Sequence, residues 1–200
     1  IFRKPLYIFC LAVFGIILSF IISKFGLISG LGVIVLPFIF YFLYQLFTYP
    51  KIGIYSTIIL AFLANGLTRY TSNAPLGLGV DAVLILTYIA IFLKKEKADW
   101  SQAKSGLTMA AVIWMLYNFL ELFNPEAHSF EAWFYAMRGV SLYMFLVVPL
   151  TFVLLKNRKD LDNFLNLWFI LSVLGSIIGL KQNFLGVDSF EQAWLDAGAA

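Results

Sequence analysis

Long apolar runs separated by short charged segments are the feature that most constrains the fold of this 200-residue chain. A membrane-crossing helix needs roughly 20 mostly apolar residues, and these runs do not alternate as a half-buried strand does. Hydrophobic residues make up 62% of the chain and charged residues 12%, whereas a soluble domain is about 25% charged. The sequence therefore predicts an all-α, polytopic transmembrane helical bundle and excludes a soluble domain, a coiled coil and a nucleic-acid binder.

We expect about seven spans in a single membrane region that covers residues 1–200. The predicted spans lie near residues 6–23, 28–49, 52–69, 76–93, 105–122, 134–155 and 163–181. The first run has a basic flank, but it is longer than the about 7–15 apolar residues of a signal peptide and lacks a small-residue cleavage site. We therefore expect a retained helix. Because the chain begins with Ile1 and stops after an amphipathic stretch, we also expect it to be the N-terminal part of a longer protein.

The distribution of basic residues predicts the orientation of the bundle. Cytoplasmic loops of membrane proteins are enriched in Lys and Arg. With the N-terminus in the cytoplasm, ten of the 14 basic residues fall on that side: Arg3, Lys4, Lys51, Lys94, Lys95, Lys97, Lys104, Lys156, Arg158 and Lys159. The other four lie at outer helix ends: Lys24, Arg69, Arg138 and Lys181. The C-terminal end of the chain is then periplasmic, and we expect a multi-pass protein of the bacterial inner (cytoplasmic) membrane.

The outer cations suggest a binding site for an anionic headgroup. If the sixth helix starts near Trp133, Arg138 lies roughly 7–8 Å below the outer boundary at about 1.5 Å per residue. Its planar guanidinium suits a phosphate or pyrophosphate; the alternative is an arginine that snorkels to lipid phosphate. Arg69 and Lys181 are each interfacial anchors when taken alone. Taken with Arg138 they predict one anionic site, in which Gln182 hydrogen-bonds to a sugar or to backbone.

The remaining chemistry-bearing residues point to no catalytic centre. His128 is the single histidine and reads as a solvated loop residue. Asp81 is interpreted as a complement to the helix dipole, and Cys10 as inert packing. No motif for a metal or a nucleotide is present, so we expect neither a metal nor a cofactor. Ser129 to Trp133 is expected to cap and start an interfacial helix.

Two segments resemble the N-terminal half of the O-antigen ligase and polymerase family of bacterial inner-membrane proteins. One is Asn124-Pro125 followed by WFYAMRGVSLYMFL at 133–146; the other is GLKQNFLGVDSFEQAWLD at 179–196. The resemblance implies a multi-helix enzyme of polysaccharide and lipopolysaccharide biosynthesis. Such an enzyme transfers a glycan on the periplasmic side from an undecaprenyl-pyrophosphate carrier to a lipid-core sugar or to another glycan repeat.

The resemblance also implies roles for particular residues. Arg138 matches the family's helix-start arginine, and Lys181 and Gln182 match the end of the next span. The family is metal-independent and uses a histidine in a large periplasmic loop further along the chain, which His128 does not match. The expected partners are the pyrophosphate-linked glycan donor, a lipid or glycan acceptor, and membrane lipids. We expect the catalytic residues beyond residue 200 and no activity from this fragment alone.

Two other classes of protein fit part of the pattern. A transporter or flippase for a lipid-linked or polyanionic glycan would also line a cavity with cations, but its cavity has to open to both faces. The unusual cations cluster only on the predicted outer side, which favours the transferase. A passive scaffold would tolerate replacement of Arg138 without effect.

Overall fold

The structure, a computed structural model, describes residues 9, 13–16, 19–20, 22–24, 26–70, 76–94, 98–124 and 129–198. These residues form helices and short connections and contain no strand, which confirms the predicted all-α class. The chain divides into two compact units, Ile1–Gln45 and Leu46–Ala200. Much of the first predicted span, 6–23, lies outside the described residues, and its described part is helical. Helix α1 follows at Leu27–Thr48 and contains Pro37.

The second unit is a series of helices joined by short connections. They are α2 (Lys51–Leu67), α3 (Leu76–Leu93), α4 (Gly106–Leu120), α5 (Phe130–Met137), α6 (Tyr143–Leu154), α7 (Arg158–Leu185) and α8 (Ser189–Gly198). A π-helical turn, Arg138–Leu142, joins α5 to α6 into one continuous helix. Ser129 caps α5 by accepting a hydrogen bond from the Ala132 amide at 3.2 Å, as the sequence predicts. Each predicted range from 28–49 to 163–181 coincides with a helix.

Three helical stretches of the described chain are long and apolar enough to cross a membrane. They are Gly106–Phe123, Phe130–Leu154 and Arg158–Leu185, with 18, 25 and 28 residues. Large apolar side chains such as Trp168 and Phe169 on α7 are exposed, which suits contact with lipid rather than water. Three further apolar helices are shorter, and their crossing of the membrane stays a prediction: Gly32–Thr48, Lys51–Leu67 and Gly77–Leu93.

The core of the second unit forms where α2 and α3 pack against each other and against α6. Its buried apolar side chains are Ile54, Val80, Leu84, Ile91 and Leu150. Gly53 permits the close approach of α2 to α3, because a Cβ there would overlap the Thr87 side chain. The Thr87 hydroxyl donates to the Val83 carbonyl at 2.6 Å, so this buried polar group is satisfied within its own helix. The core therefore holds α2 firmly on α3.

An ion pair joins the start of α2 to the start of α7. Lys51 Nζ lies 2.7 Å from Asp160 Oδ2, and the Asp160 side chain is only 10% exposed. The same carboxylate accepts backbone N–H bonds from Lys156 at 3.2 Å and Asn157 at 3.1 Å. With Asn157 it forms a capping box that starts α7. One carboxylate thus both begins α7 and fixes it to α2.

We predict that Lys51→Ala destabilises the protein by about 1–3 kcal/mol, because it leaves the buried Asp160 carboxylate without its charged donor. The matched control is Lys159→Ala, which removes an exposed lysine from the same end of α7. The measurement is the unfolding midpoint of the detergent-solubilised protein in a denaturant titration. Equal midpoints for the two variants would show that the pair contributes nothing to stability.

Candidate functional site

Lys181 and Gln182 lie in the last turns of α7, where both bind carboxylates of the following segment. Lys181 Nζ lies 3.0 Å from Glu191 Oε2 and 3.2 Å from Asp188 Oδ2. Gln182 Nε2 donates to Glu191 Oε1 at 2.8 Å. The chain reverses between the two helices at Gly186, whose φ of 81° is in the left-handed region that favours glycine. This reversal brings α8 back onto the end of α7.

Glu191 is the centre of these contacts and is only 2% exposed. Besides Lys181 and Gln182, it accepts hydrogen bonds from the Asp188 backbone N–H at 3.0 Å and from the Tyr70 hydroxyl at 3.2 Å. The Asp188 N–H, the Gln182 amide and the Lys181 ammonium, in that order of importance, lower the pKa of Glu191 from 4.5 to about 2. Glu191 is therefore an ionised carboxylate held by four donors.

The turn after α2 completes this cluster. The single proton of the Tyr70 hydroxyl is shared between Glu191 and Asp188, whose Oδ2 lies 3.1 Å from the hydroxyl oxygen. The Tyr70 ring lies 6.2 Å from the ring of Phe190, centroid to centroid. The guanidinium carbon of Arg69 lies 5.6 Å from the centre of the Trp194 ring, a cation–π distance. The turn 68–70 and α8 are thus joined by both polar and aromatic contacts.

A cavity of about 660 Å³ lies between α2 and α7 beside this cluster. Its polar lining consists of Asn65, Arg69, Tyr70, Lys181, Gln182 and Glu191. The rest of the lining is apolar or glycine: Phe62, Leu63, Gly66, Leu67, Gly175, Ile178 and Gly179. The structure thus gathers three of the four predicted site residues, Arg69, Lys181 and Gln182, around one cavity with a polar end and an apolar body.

Arg138, the fourth predicted site residue, lies elsewhere and is already paired. Its Nη2 is 2.6 Å from Asp81 Oδ2 on α3 and 3.3 Å from the Tyr143 hydroxyl. Arg138 is 8% exposed, and its Nη2 would lie 3.0 Å from a Cβ placed on Gly77, so glycine leaves room for the guanidinium. The π-helical turn, which is often found at functional sites, places the arginine here. As placed, its charge is neutralised within the helix bundle.

The sequence-based interpretation of Asp81 needs correction. Asp81 lies beyond the first turn of α3, which contains no acidic residue, and its carboxylate serves Arg138 rather than the helix dipole. One oxygen of that carboxylate, Oδ1, and Nε of Arg138 are buried without a hydrogen-bond partner. A second cavity, of about 370 Å³, begins next to the pair at Gly77 and Tyr143. The pair thus adjoins an apolar space between α2, α3 and α6.

The structure bears on the predictions about His128 and about metal binding only through its described residues. His128 lies outside the described residues. Within the described part of the chain, no three His, Cys, Asp or Glu side chains come together as metal ligands. Asp188 and Glu191 are site residues that the sequence did not predict. The signal was present as Asp-Ser-Phe-Glu at 188–191, which has the spacing of a capping box.

No family model matches this sequence, and no characterised protein or solved structure is significantly similar to it. The resemblance to the O-antigen ligase and polymerase family thus rests on the two motif segments alone. The support for a function therefore comes from the geometry around the cavity.

We predict that Arg138→Gln and Asp81→Asn each destabilise the protein by about 3–5 kcal/mol, because each breaks an ion pair whose side chains are only 10% and 20% exposed. The double variant should recover part of that loss, since it removes both charges. Denaturant unfolding in detergent gives the coupling energy of the cycle. Lys104→Gln, an exposed change, serves as the control. Purely additive losses would show that the two side chains do not act as a pair.

We also predict that α8 stays docked at neutral pH and undocks in acid. The pKa of Glu191 is lowered to about 2, first by the Asp188 N–H and then by the docking contacts with Gln182 and Lys181, so the contribution of these docking contacts is complete above pH 4.5 and is lost as the pH falls towards 2. The measurement is the ¹⁹F NMR shift of 5-fluorotryptophan at Trp194, assigned with Trp194→Phe. The signal of Trp168 on α7 monitors global unfolding. A Trp194 shift that begins near pH 6 would contradict this assignment.

Proposed function

We propose that this chain belongs to a bacterial inner-membrane enzyme that transfers a glycan from an undecaprenyl-pyrophosphate carrier to a lipid-core sugar or another glycan. The observation that carries the proposal is the cavity between α2 and α7. One end of this cavity offers cations and hydrogen-bond donors, and its body is apolar. A polyprenyl pyrophosphate has the same division into an anionic head and a hydrocarbon tail.

The polar end supplies groups that bind a pyrophosphate. Arg69 presents a planar fork of donors, Lys181 a compact positive charge, and Gln182 a neutral amide. Donors placed where charge develops on a leaving group lower the barrier of the transfer step.

The apolar body suits the first isoprene units of the carrier. Phe62, Leu63 and Ile178 line it, and Gly175 and Gly179 leave room between the two helices. Its volume of about 660 Å³ is typical of a small-molecule site of about 300–1,000 Å³. It holds the head and the adjoining part of the tail, and the remaining tail extends into the lipid.

The proposal includes the predicted topology. With seven spans and a cytoplasmic N-terminus, the ends of α2 and α7 reach the periplasmic side, where the glycan acceptor is found. The polar end of the cavity then faces the water in which the glycan lies. The Lys51–Asp160 pair lies at the opposite, cytoplasmic end of the same two helices.

We predict that Arg69→Met and Lys181→Met each lower glycan transfer at least tenfold, since loss of one charge-stabilising donor costs about 10²–10³ in rate. Lys181→Arg should retain most of the activity. The assay uses cells that lack the gene, complemented with full-length variants at matched membrane abundance. It compares acceptor-linked glycan with carrier-linked glycan.

Lys159→Met, an exposed change at the other end of α7, is the control and should transfer normally. Carrier-linked glycan should accumulate in the periplasmic leaflet of the defective variants. Accumulation in the cytoplasmic leaflet would favour a flippase instead. Normal transfer by an Arg69→Met/Lys181→Met double variant would overturn the proposed site.

A further inference from the structure

The charged groups at the polar end of the α2–α7 cavity, taken with the neighbouring Asp188, carry no net charge as the structure presents them. Arg69 and Lys181 supply two positive charges, and the carboxylates of Asp188 and Glu191, both bound at Lys181, supply two negative ones. A pyrophosphate ester brings further negative charge, and like charges within a few ångströms disfavour binding strongly. Binding of such a group therefore requires that at least one carboxylate leave.

Glu191 occupies the donors that an anionic headgroup would need. Its two oxygens accept from Lys181 Nζ at 3.0 Å, Gln182 Nε2 at 2.8 Å and Tyr70 Oη at 3.2 Å. Ionised acceptors with several charged or polar donors are the strong hydrogen-bond partners in proteins. Glu191 is 2% exposed, so its carboxylate is itself shielded from water while it binds these donors.

The segment that carries Glu191 follows α7 as a separate short helix. It comprises residues 186–198, a short connection followed by α8, and it is attached to α7 through Gly186 at a φ of 81°. Its contacts with the cavity come from a few side chains on one face: Asp188, Phe190, Glu191 and Trp194. Displacement of this one helix releases the donors of the polar end together.

We propose that α8 is a carboxylate latch, in which Glu191, assisted by Asp188, fills the headgroup end of the cavity and is displaced by the pyrophosphate group of the lipid-linked donor. This inference rests on the proposed function. When no lipid-linked donor is bound, the carboxylates of the latch neutralise the charges of Arg69 and Lys181. A lipid-linked donor reaches these cations only by competing with the carboxylates. Glu191 thus competes with the pyrophosphate of the carrier for the same hydrogen-bond donors.

The competition sets the expected effect of mutation. If only the open form binds, the apparent affinity is reduced by the fraction of protein that is open. Glu191→Gln keeps the size of the side chain but removes its charge, so the closed form loses its ion pair with Lys181. The open fraction and the apparent affinity for a diphosphate should then both rise.

The experiment measures binding of farnesyl pyrophosphate to the full-length protein in lipid nanodiscs. We expect Glu191→Gln to bind it about tenfold more tightly than wild type and Lys181→Met to bind it at least tenfold more weakly. Asp196→Asn is the matched control, because Asp196 is an exposed carboxylate on the same helix, and it should bind as wild type does. Addition of the probe to wild type should shift the ¹⁹F signal of Trp194 and leave that of Trp168 unchanged.

The possible failures are distinguishable. Equal affinities of wild type and Glu191→Gln, with weaker binding by Lys181→Met, would overturn the latch and leave the proposed site standing. Weaker binding by Glu191→Gln would show that Glu191 is a structural member of the site, which also overturns the latch. Absence of binding to wild type and Glu191→Gln alike would overturn both the latch and the proposed function.

Discussion

Compensation of charge in an apolar environment is the constraint on which the described structure depends. An ion moved out of water loses several kcal/mol of hydration unless it is paired and hydrogen-bonded. Among the described residues, three ion-paired groups supply the pairing, and each joins elements that are separate in the fold: Lys51–Asp160, Asp81–Arg138, and Lys181 with Asp188 and Glu191. Apolar packing brings the helices together, and these groups join particular positions on them.

The first and last of these groups define the two ends of the α2–α7 pair. At the starts of both helices, the buried carboxylate of Asp160 pairs with Lys51 and also caps α7, so this contact joins α2 to α7 directly. At the other end, Lys181 pairs with Asp188 and Glu191, which belong to the separate helix α8 and the connection before it. The cavity thus lies between an ion pair that joins α2 to α7 and a second ion-paired group that depends on the position of α8.

The sequence predicted the helices well, because an apolar run long enough to cross a bilayer has few alternative structures. The positions of the helix ends are determined by capping residues and not by hydropathy. The predicted range 134–155 begins earlier, at Phe130, because Ser129 caps it. The predicted range 163–181 extends from Arg158 to Leu185, because the Asn157 capping box starts α7 among polar residues and Gly186 ends it.

Predictions for the site succeeded in part, for a related reason. Positive charge at outer helix ends identified Arg69 and Lys181, which the fold does bring to one cavity. The partner of Arg138 depends on how α3 packs against the π-helical turn, and neither hydropathy nor spacing contains that information. Asp81 was visible in the sequence, but only the tertiary structure shows which cation it neutralises.

Glu191, like Asp160, has hydrogen-bond partners at the start of its own helix, and these bear on its release. It is the third residue of α8, and its Oε2 accepts the Asp188 backbone N–H at 3.0 Å while Asp188 Oδ1 accepts the Glu191 N–H at 2.9 Å. These reciprocal bonds form a capping box within α8, so they stay intact when the helix leaves the cavity. The carboxylate then exchanges Lys181 and Gln182 for water without losing its place in the helix. Asp81 lies beyond the first turn of α3, and separation from Arg138 would remove its charged partner. The ion pair of Arg138 with Asp81 is therefore expected to stay in place, whereas the ion pair of Lys181 with Glu191 can be displaced.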